Sequence, residues 1–186
     1  MKKLIVIALF FLLSSCGTAQ KAPDKTQASA STPKKVEQKA DQAKEKNTFG
    51  LELETTDGDT FSYEAVKGKK VLFISFWATW CEPCKAELMK LADIAQKHKE
   101  NLQVIAISID PEENMDAVQE FAVEMALPYP VLVDPSGNFT SNVIPGGDTV
   151  PYSMLIDKTG KIVATHTGYE PGDEKRIEEE IQELLR

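Results

Sequence analysis

The most informative segment of the chain is Val71-Leu72-Phe73-Ile74-Ser75-Phe76-Trp77-Ala78-Thr79-Trp80-Cys81-Glu82-Pro83-Cys84. Its first seven residues are apolar or aromatic apart from one serine, which predicts a buried strand. The residues after the second cysteine place Leu88, Leu91 and Ala95 at helical spacing, which predicts a helix. The order strand, Cys-x-x-Cys, helix puts Cys81 at a helix N-terminus, where unpaired N–H groups and the helix dipole favour a thiolate. The sequence therefore predicts that Cys81 and Cys84 form a dithiol/disulfide couple.

A structural zinc site is the main alternative for two close cysteines. Such a site needs four ligands, usually a second Cys-x-x-Cys pair or added histidines. The remaining cysteine is Cys16, far upstream, and the histidines are His98 and His166. His98 lies among lysines late in the predicted helix and His166 near the end of a predicted strand, so surface or sheet packing is the expected role of both. We therefore expect no metal site, and redox chemistry is the better interpretation of the cysteine pair.

The N-terminal segment has the pattern of a bacterial lipoprotein signal. A basic start precedes ten apolar residues, 4–13, which are fewer than the roughly 20 that a membrane-spanning helix needs. The segment ends in Leu13-Ser14-Ser15-Cys16, which resembles a lipobox. We predict a signal peptide over residues 1–15 and lipidation of Cys16; the alternative is an ordinary secretory signal with an incidental cysteine. Either interpretation places the chain outside the cytoplasm, where disulfides persist.

Composition separates a tether from a folded domain. Residues 16–47 are rich in Lys, Gln, Ala, Ser, Thr and Pro, which predicts a flexible tether between the lipid and the domain. Residues 48–186 form the predicted domain and carry 12 Lys and Arg against 25 Asp and Glu, a formal charge of −13. A surface of that sign argues against binding to nucleic acid.

The pattern of the domain predicts a mixed-sheet α/β fold. Alternating residues on either side of Asp57-Gly58 predict a hairpin near the N-terminus of the domain. Further along the chain, hydrophobic periodicity predicts a strand at 102–109, a helix at 113–126, a strand at 129–134, a second hairpin at 153–165 and an amphipathic helix at 173–186. Parallel strands joined by helices and followed by an antiparallel hairpin give a mixed sheet flanked by helices.

The cysteine motif, together with a second motif downstream, resembles the thioredoxin superfamily. The second motif is Val150-Pro151 followed by Met154-Leu155-Ile156-Asp157-Lys158-Thr159-Gly160-Lys161. More narrowly, the chain is similar to the TlpA/ResA-type extracytoplasmic thiol–disulfide oxidoreductases, which share the N-terminal hairpin and the helix–strand insert of residues 113–134. The resemblance implies a thioredoxin fold with these two additions.

The resemblance also implies roles for the two cysteines. Cys81, whose sulfur we expect to be accessible, would attack a substrate disulfide, and the more deeply buried Cys84 would resolve the mixed disulfide. A purely structural bridge is a poor alternative, because it would close almost no loop and constrain the unfolded chain little. We expect no cofactor beyond this redox-active disulfide.

Glu87 is the expected acid–base residue. It follows Cys84 by three positions and therefore shares its helix face. It coincides with an acidic residue that ResA-like proteins place near the cysteines. Thioredoxin's own buried acid would fall at Ser75, which cannot act as an acid at neutral pH. An ordinary exposed helix glutamate is the alternative.

Five further residues are expected to bind the substrate or to tune the couple. Glu82 and Pro83 lie between the two sulfur atoms, and Trp80 flanks them as a contact surface. Pro151 resembles the cis-proline that faces the disulfide in this superfamily, with the Val150 backbone available to an extended peptide. The Gly/Pro-rich loop of residues 144–149 looks longer than is usual in the family, which leaves the partner open.

The resemblance implies a membrane-tethered enzyme that reduces protein disulfides. Apocytochrome c cysteines are the best-known family target, and a thiol-reducing membrane partner would return the couple to the dithiol. We expect the chain on the periplasmic side or surface of a bacterial membrane. Two alternatives remain open: a thiol peroxidase, although Thr79 stands only two residues before Cys81 and the peroxiredoxin proline is missing, and a non-enzymatic binding lipoprotein.

Overall fold

A five-stranded mixed sheet forms the centre of residues 50–186, the part of the chain that the computed structural model describes. The strands are β3 Val71–Trp77, β4 Leu102–Ser108, β5 Val131–Val133, β6 Tyr152–Ile156 and β7 Ile162–Thr167. Their order in the sheet is β5-β4-β3-β6-β7; β3 pairs in parallel with β4, as β4 does with β5, and β6 runs antiparallel to both β3 and β7.

Both faces of the sheet are covered, which explains why β3 is apolar without alternation. Every residue of β3 is buried. Phe73 and Trp77 point to a core completed by three helices, α1 Glu82–Lys97, α2 Met115–Met125 and α4 Asp173–Leu185. Leu72, Ile74 and Phe76 belong to a second core on the other face, with partners from residues 51–66 and 139–144.

A separate two-stranded sheet lies next to the β5 edge of the central sheet. Its strands are β1 Glu52–Glu54 and β2 Thr60–Ser62, paired antiparallel. The backbone N–H of Thr56 donates to the Val131 carbonyl at 2.9 Å, and a bridge joins Thr55 to Leu132. The hairpin therefore covers an edge that would otherwise leave strand groups unpaired.

The predicted fold class is confirmed, with differences in its shorter elements. The first hairpin has strands of only three residues, and α2 begins at Met115 after a 3-10 turn at Glu112–Asn114. A one-turn helix, α3 Thr140–Val143, was not predicted, because a single turn leaves no periodic pattern. No described helix is long and apolar enough to cross a membrane. The predicted signal peptide, the lipidation of Cys16 and the tether lie outside the described residues.

The sheet topology brings three chain segments together at the carboxyl ends of the parallel strands β3 and β4. Trp77 at the end of β3 lies opposite Ser108 at the end of the parallel β4. Phe76 lies opposite Tyr152, the first residue of the antiparallel β6. The loop to Cys81, the segment after β4 and the segment before β6 therefore meet at this end of the sheet.

Candidate active site

The two cysteines are joined in a disulfide at the start of α1. Cys81 is the N-cap of this helix, with extended backbone angles, and its sulfur accepts a hydrogen bond from the Cys84 N–H at 3.3 Å. Pro83 fits the first turn because the missing N–H would have no partner inside the helix there. The helix N-terminus thus points its free N–H groups and its positive dipole end toward Cys81.

The expectation of an accessible Cys81 sulfur is wrong for this oxidised form. Cys81 is only 4 % exposed and Cys84 is fully buried. Cys81 is held by the bond to Cys84, and its own N–H donates to the Ala78 carbonyl at 3.0 Å. The order of burial still follows the prediction, because Cys84 lies deeper than Cys81.

The residues that flank the disulfide form an exposed rim. Trp80 is 62 % exposed, and Glu82 and Pro83 are exposed as well. Glu82 pairs with Lys85 at 2.8 Å across one turn of α1. An exposed tryptophan beside a reactive sulfur offers a contact surface for a protein partner.

Val150 and Pro151 lie at the same end of the sheet as the disulfide. The peptide bond between them is cis, as the sequence resemblance predicts. Val150 is half-buried and Pro151 is buried, with its carbonyl accepting from the Gly168 N–H at 2.8 Å. Their role in substrate binding stays a prediction.

Glu87 is buried inside the protein and is not an exposed helix glutamate. It is 1 % exposed and lies one turn after Cys84 on the inner face of α1. Ser75 Oγ donates to Glu87 Oε2 at 2.7 Å. Burial raises the pKa of Glu87 to about 7; the Ser75 hydrogen bond lowers this pKa and the charge of Asp173 raises it. A carboxyl group that titrates near neutral pH can both accept and return a proton during thiol exchange.

Asp110 is a site residue that the sequence analysis missed. It is fully buried at the end of β4, and its carboxylate accepts from the Thr79 N–H at 2.9 Å and the Thr79 hydroxyl at 2.6 Å. Ser108 Oγ donates to the same carboxylate at 2.9 Å. Asp110 therefore fixes the loop that carries Trp80 and Cys81. The signal that could have found it is a serine and an aspartate at the carboxyl end of a buried parallel strand, where functional sites of α/β sheets are commonly found.

The two histidines lie away from the disulfide. His98 is the C-cap of α1 and pairs with Glu178 on α4 at 3.1 Å. His166 lies on β7 and is nearly buried, with Glu180 of α4 at 2.8 Å. Within residues 50–186, no group of three or more His, Cys, Asp or Glu side chains is placed to hold a metal ion.

A family model described as Redoxin matches residues 18–181. The chain belongs to the redoxin family. This redoxin is 34 % identical over 132 residues to the thiol-disulfide oxidoreductase ResA of Bacillus thuringiensis subsp. konkukian, covering 70 % of the chain and 69 % of the relative.

Two solved structures have the same fold. A thiol:disulfide interchange protein DsbE from Chlorobium tepidum has a TM-score of 0.65 and 28 % identity, covering 73 % of this redoxin and 93 % of that chain. The pneumococcal exposed lipoprotein thioredoxin Etrx1 from Streptococcus pneumoniae has a TM-score of 0.61 and 30 % identity, covering 72 % and 98 %. Together with the cysteine pair, these likenesses make this redoxin a thiol–disulfide oxidoreductase of the ResA/DsbE type, which exchanges dithiols and disulfides with protein substrates.

Proposed function

We propose that this redoxin reduces disulfides of exported proteins while it is tethered by lipid to a bacterial membrane. The observation that carries the direction of the reaction is the buried Glu87 beside Cys84. Residues three apart on a helix have their Cβ atoms about 5–6 Å apart, so the carboxylate disfavours a thiolate at Cys84. When no thiolate stabilises the dithiol form, the disulfide form is favoured and the couple acts as a reductant. Stabilisation of the dithiol form makes the couple an oxidant instead.

The reaction requires the two cysteines, one acid–base group and no further cofactor. The Cys81 thiolate attacks a substrate disulfide, a Cys81–substrate bond forms and one substrate thiolate leaves. Glu87 then takes the proton of Cys84, whose thiolate attacks the Cys81 sulfur. The Cys81–Cys84 bond forms as the bond to the substrate breaks. The substrate gains two electrons and becomes a dithiol after taking up two protons, and the cysteine pair is oxidised.

The reduction potential of the Cys81–Cys84 couple tests the direction. We expect a value near thioredoxin's, about −270 mV, and a value near that of DsbA, about −120 mV, would overturn the proposal. Glu87→Gln removes the buried carboxylate and should shift the potential to a more positive value. Glu124→Gln, the same change on the exposed side of α2, is the matched control and should leave the potential unchanged.

A trapping experiment tests the roles of the cysteines. In the Cys84→Ser chain the mixed disulfide cannot be resolved, so the substrate should stay bound through Cys81. The Cys81→Ser chain should trap nothing. Complexes that form equally well when both cysteines are changed would support a binding protein instead, and peroxide consumption by the reduced chain would support a peroxidase.

The substrate class that we propose includes the paired cysteines of apocytochrome c. Support comes from the similarity to ResA and from the exposed Trp80, which can contact a peptide that reaches the disulfide. The reduced chain should reduce an oxidised Cys-x-x-Cys-His peptide faster than a peptide with the same cysteines and a scrambled order. Equal rates would argue for a general reductant. A thiol-reducing membrane protein would regenerate the dithiol.

The tether is supported by the Leu13-Ser14-Ser15-Cys16 sequence and by the similarity to a lipoprotein thioredoxin. The test is fractionation of bacteria that make the full chain. The chain should follow the membranes, and Cys16→Ser should release it or leave it unprocessed. Membrane association that does not depend on Cys16 would exclude lipidation at this residue.

A further inference from the structure

A row of polar side chains crosses the apolar face of the sheet that α1 and α4 cover. Ser75 on β3 lies directly opposite Ser153 on β6, and Ser153 lies directly opposite His166 on β7. Directly opposite residues point to the same face of a sheet. All three are buried, on a face otherwise filled by apolar side chains such as Phe73, which stacks on the His166 ring. Burying polar groups in such a core is costly unless they are hydrogen-bonded, so the row requires an explanation.

Both ends of the row reach a carboxyl group. At the inner end Ser75 donates to Glu87 at 2.7 Å. At the outer end Ser153 Oγ lies 3.1 Å from His166 Nδ1, and His166 Nε2 lies 2.8 Å from Glu180 Oε2. The Glu180 side chain is 30 % exposed, so the row runs from a buried acid to solvent. We call Glu87, Ser75, Ser153, His166 and Glu180 the polar row.

The hydrogen-bond directions suit proton transfer toward Glu180. A carboxylate oxygen can only accept, so for the 2.8 Å contact between His166 Nε2 and Glu180 Oε2 we assign the ring proton to Nε2. With the proton on Nε2, Nδ1 is the acceptor in the 3.1 Å contact with the Ser153 hydroxyl. Arg176 donates to the other oxygen of Glu180, Oε1, at 3.3 Å, which leaves Oε2 to the histidine.

One link of the row is open while Glu87 is ionised. Among the described residues Ser75 and Ser153 are not hydrogen-bonded to each other, because each donates elsewhere. Their Cβ atoms, as directly opposite residues of an antiparallel pair, are about 4.5–5.5 Å apart. When Glu87 is protonated it can donate to Ser75 Oγ, and the Ser75 hydroxyl can then turn to Ser153. Protonation of Glu87 therefore closes the row.

We propose that the polar row carries the proton of Glu87 to solvent while a substrate covers the disulfide, an inference that rests on the proposed reductase function. The proton that Glu87 takes from Cys84 passes to Ser75 as Ser75 passes its own to Ser153, and Ser153 passes its own to His166 Nδ1. His166 releases its Nε2 proton to Glu180 and hence to water. Ser75, Ser153 and His166 each gain one proton and lose one, so the net change is one proton moved from Glu87 to solvent. The imidazole is left with its proton on Nδ1 and returns to the Nε2–H form before the next turnover.

The other polar groups around Glu87 do not offer this path. Burial raises the pKa of Tyr129, whose hydroxyl donates to the Leu88 carbonyl at 2.7 Å. Burial and Glu174 raise the pKa of Tyr169, whose hydroxyl donates to Glu174 at 2.8 Å. Asp173 acts on Glu87 through its charge. Both tyrosines thus hold their protons at neutral pH and donate them to groups other than Glu87.

The trio Ser153, His166 and Glu180 has the composition of a hydrolase triad, but it cannot act as one. Ser153 is 1 % exposed, so no ester or amide could reach its oxygen. Proton movement needs no such access, because a proton passes between groups already in contact.

The test separates the two thiol steps with Ellman's reagent in the reduced full chain carrying Cys16→Ser. The first thionitrobenzoate released reports attack by Cys81, and the second reports attack by Cys84 on the mixed disulfide. In weak buffer, below neutral pH, His166→Ala should slow the second release by roughly tenfold and leave the first unchanged. Added imidazole, which can occupy the space left by the ring, should restore the second rate. A purely structural role for His166 would not produce this rescue.

Two further variants keep the result interpretable. His98→Ala removes the other histidine that pairs with a glutamate of α4 and should change neither release. Ser153→Ala should slow the second release, and imidazole should not restore it, because the break lies between the ring and Glu87. An unchanged second release in His166→Ala, or a slowed one that imidazole does not restore, would overturn the relay. Absence of a second release in the parent chain would instead overturn the proposed function.

Discussion

Ser75 on β3 donates a 2.7 Å hydrogen bond to the buried carboxyl group of Glu87 on α1. In thioredoxin a buried acid would occupy the strand position that Ser75 has here. In this chain the buried acid, Glu87, lies on the helix, and the strand supplies its hydrogen-bond donor. The consequence is an acid one helical turn from Cys84 and in contact with the sheet. Such an acid can influence both the cysteine couple and the polar groups that cross the sheet.

The raised pKa of Glu87 predicts a pH-dependent free energy of unfolding. Folding raises this pKa from 4.5 to about 7, so the folded chain holds a proton that the unfolded chain loses. The neutral Glu87 carboxyl group makes its full contribution to the free energy of unfolding below about pH 4.5, and this contribution is lost as the pH rises through about 7. Glu87→Gln cannot ionise, so its free energy of unfolding relative to the parent should rise by roughly 2–3 kcal/mol between about pH 5 and pH 8.

Urea unfolding of the oxidised chain at the two pH values measures this difference. Glu124→Gln, an exposed change of the same kind, should follow the parent at both. If Glu87→Gln and the parent lost stability in parallel, the carboxyl of Glu87 would be ionised in the fold across the whole range, and its acid–base role would be lost.

Asp110 should affect the redox site through the Thr79 loop. Asp110→Ala leaves the Thr79 N–H and hydroxyl without their buried acceptor, which should lower stability by about 3 kcal/mol. The loop would no longer hold Cys81 in place, so attack on Ellman's reagent should slow by roughly tenfold. Stopped-flow mixing of the reduced chain measures the rate.

Asp157 provides the matched control for Asp110. Its carboxylate also accepts from a threonine N–H and hydroxyl, those of Thr159, but in the exposed turn at the opposite end of β6. Asp157→Ala should lower the free energy of unfolding by about 1 kcal/mol and leave the rate of attack on Ellman's reagent unchanged. Equal slowing by both variants would mean that general loss of stability, and not the loop, sets the rate.

Local sequence patterns predicted the parts of the site that are close together in the chain. The apolar run of β3, the cysteines and the first turns of α1 follow one another, so their order alone places Cys81 at the helix N-terminus. Glu87 could be placed on the inner face by its spacing from Cys84, but its burial and raised pKa depend on the sheet and on α4. The exposed alternative could be excluded only from the fold.

The polar row could not be predicted, because it depends on register between distant strands. Ser75 and Ser153 are 78 positions apart, and only the pairing of β3 with β6 brings them together. His166 carries no signal of its own near the end of a predicted strand. The partner of its ring, Glu180, is one of several acids on an amphipathic helix. A single-residue shift in the pairing of any of these strands would turn the chosen side chain to the other face.

Trp80 should contribute to binding of protein substrates and not to the chemistry of the cysteines. Its side chain is 62 % exposed next to Cys81, and buried tryptophans at interfaces are frequent sources of binding energy. Trp80→Ala should raise the KM for an oxidised protein substrate by roughly tenfold, with stability changed by less than about 0.5 kcal/mol. The rate with Ellman's reagent should not change, because a small probe makes no contact with the rim. Val123→Ala, a 71 % exposed apolar residue on α2, is the control and should change none of these quantities. If Trp80→Ala slowed the small probe as much as the protein, the side chain would act on Cys81 itself and the rim would not be a binding surface.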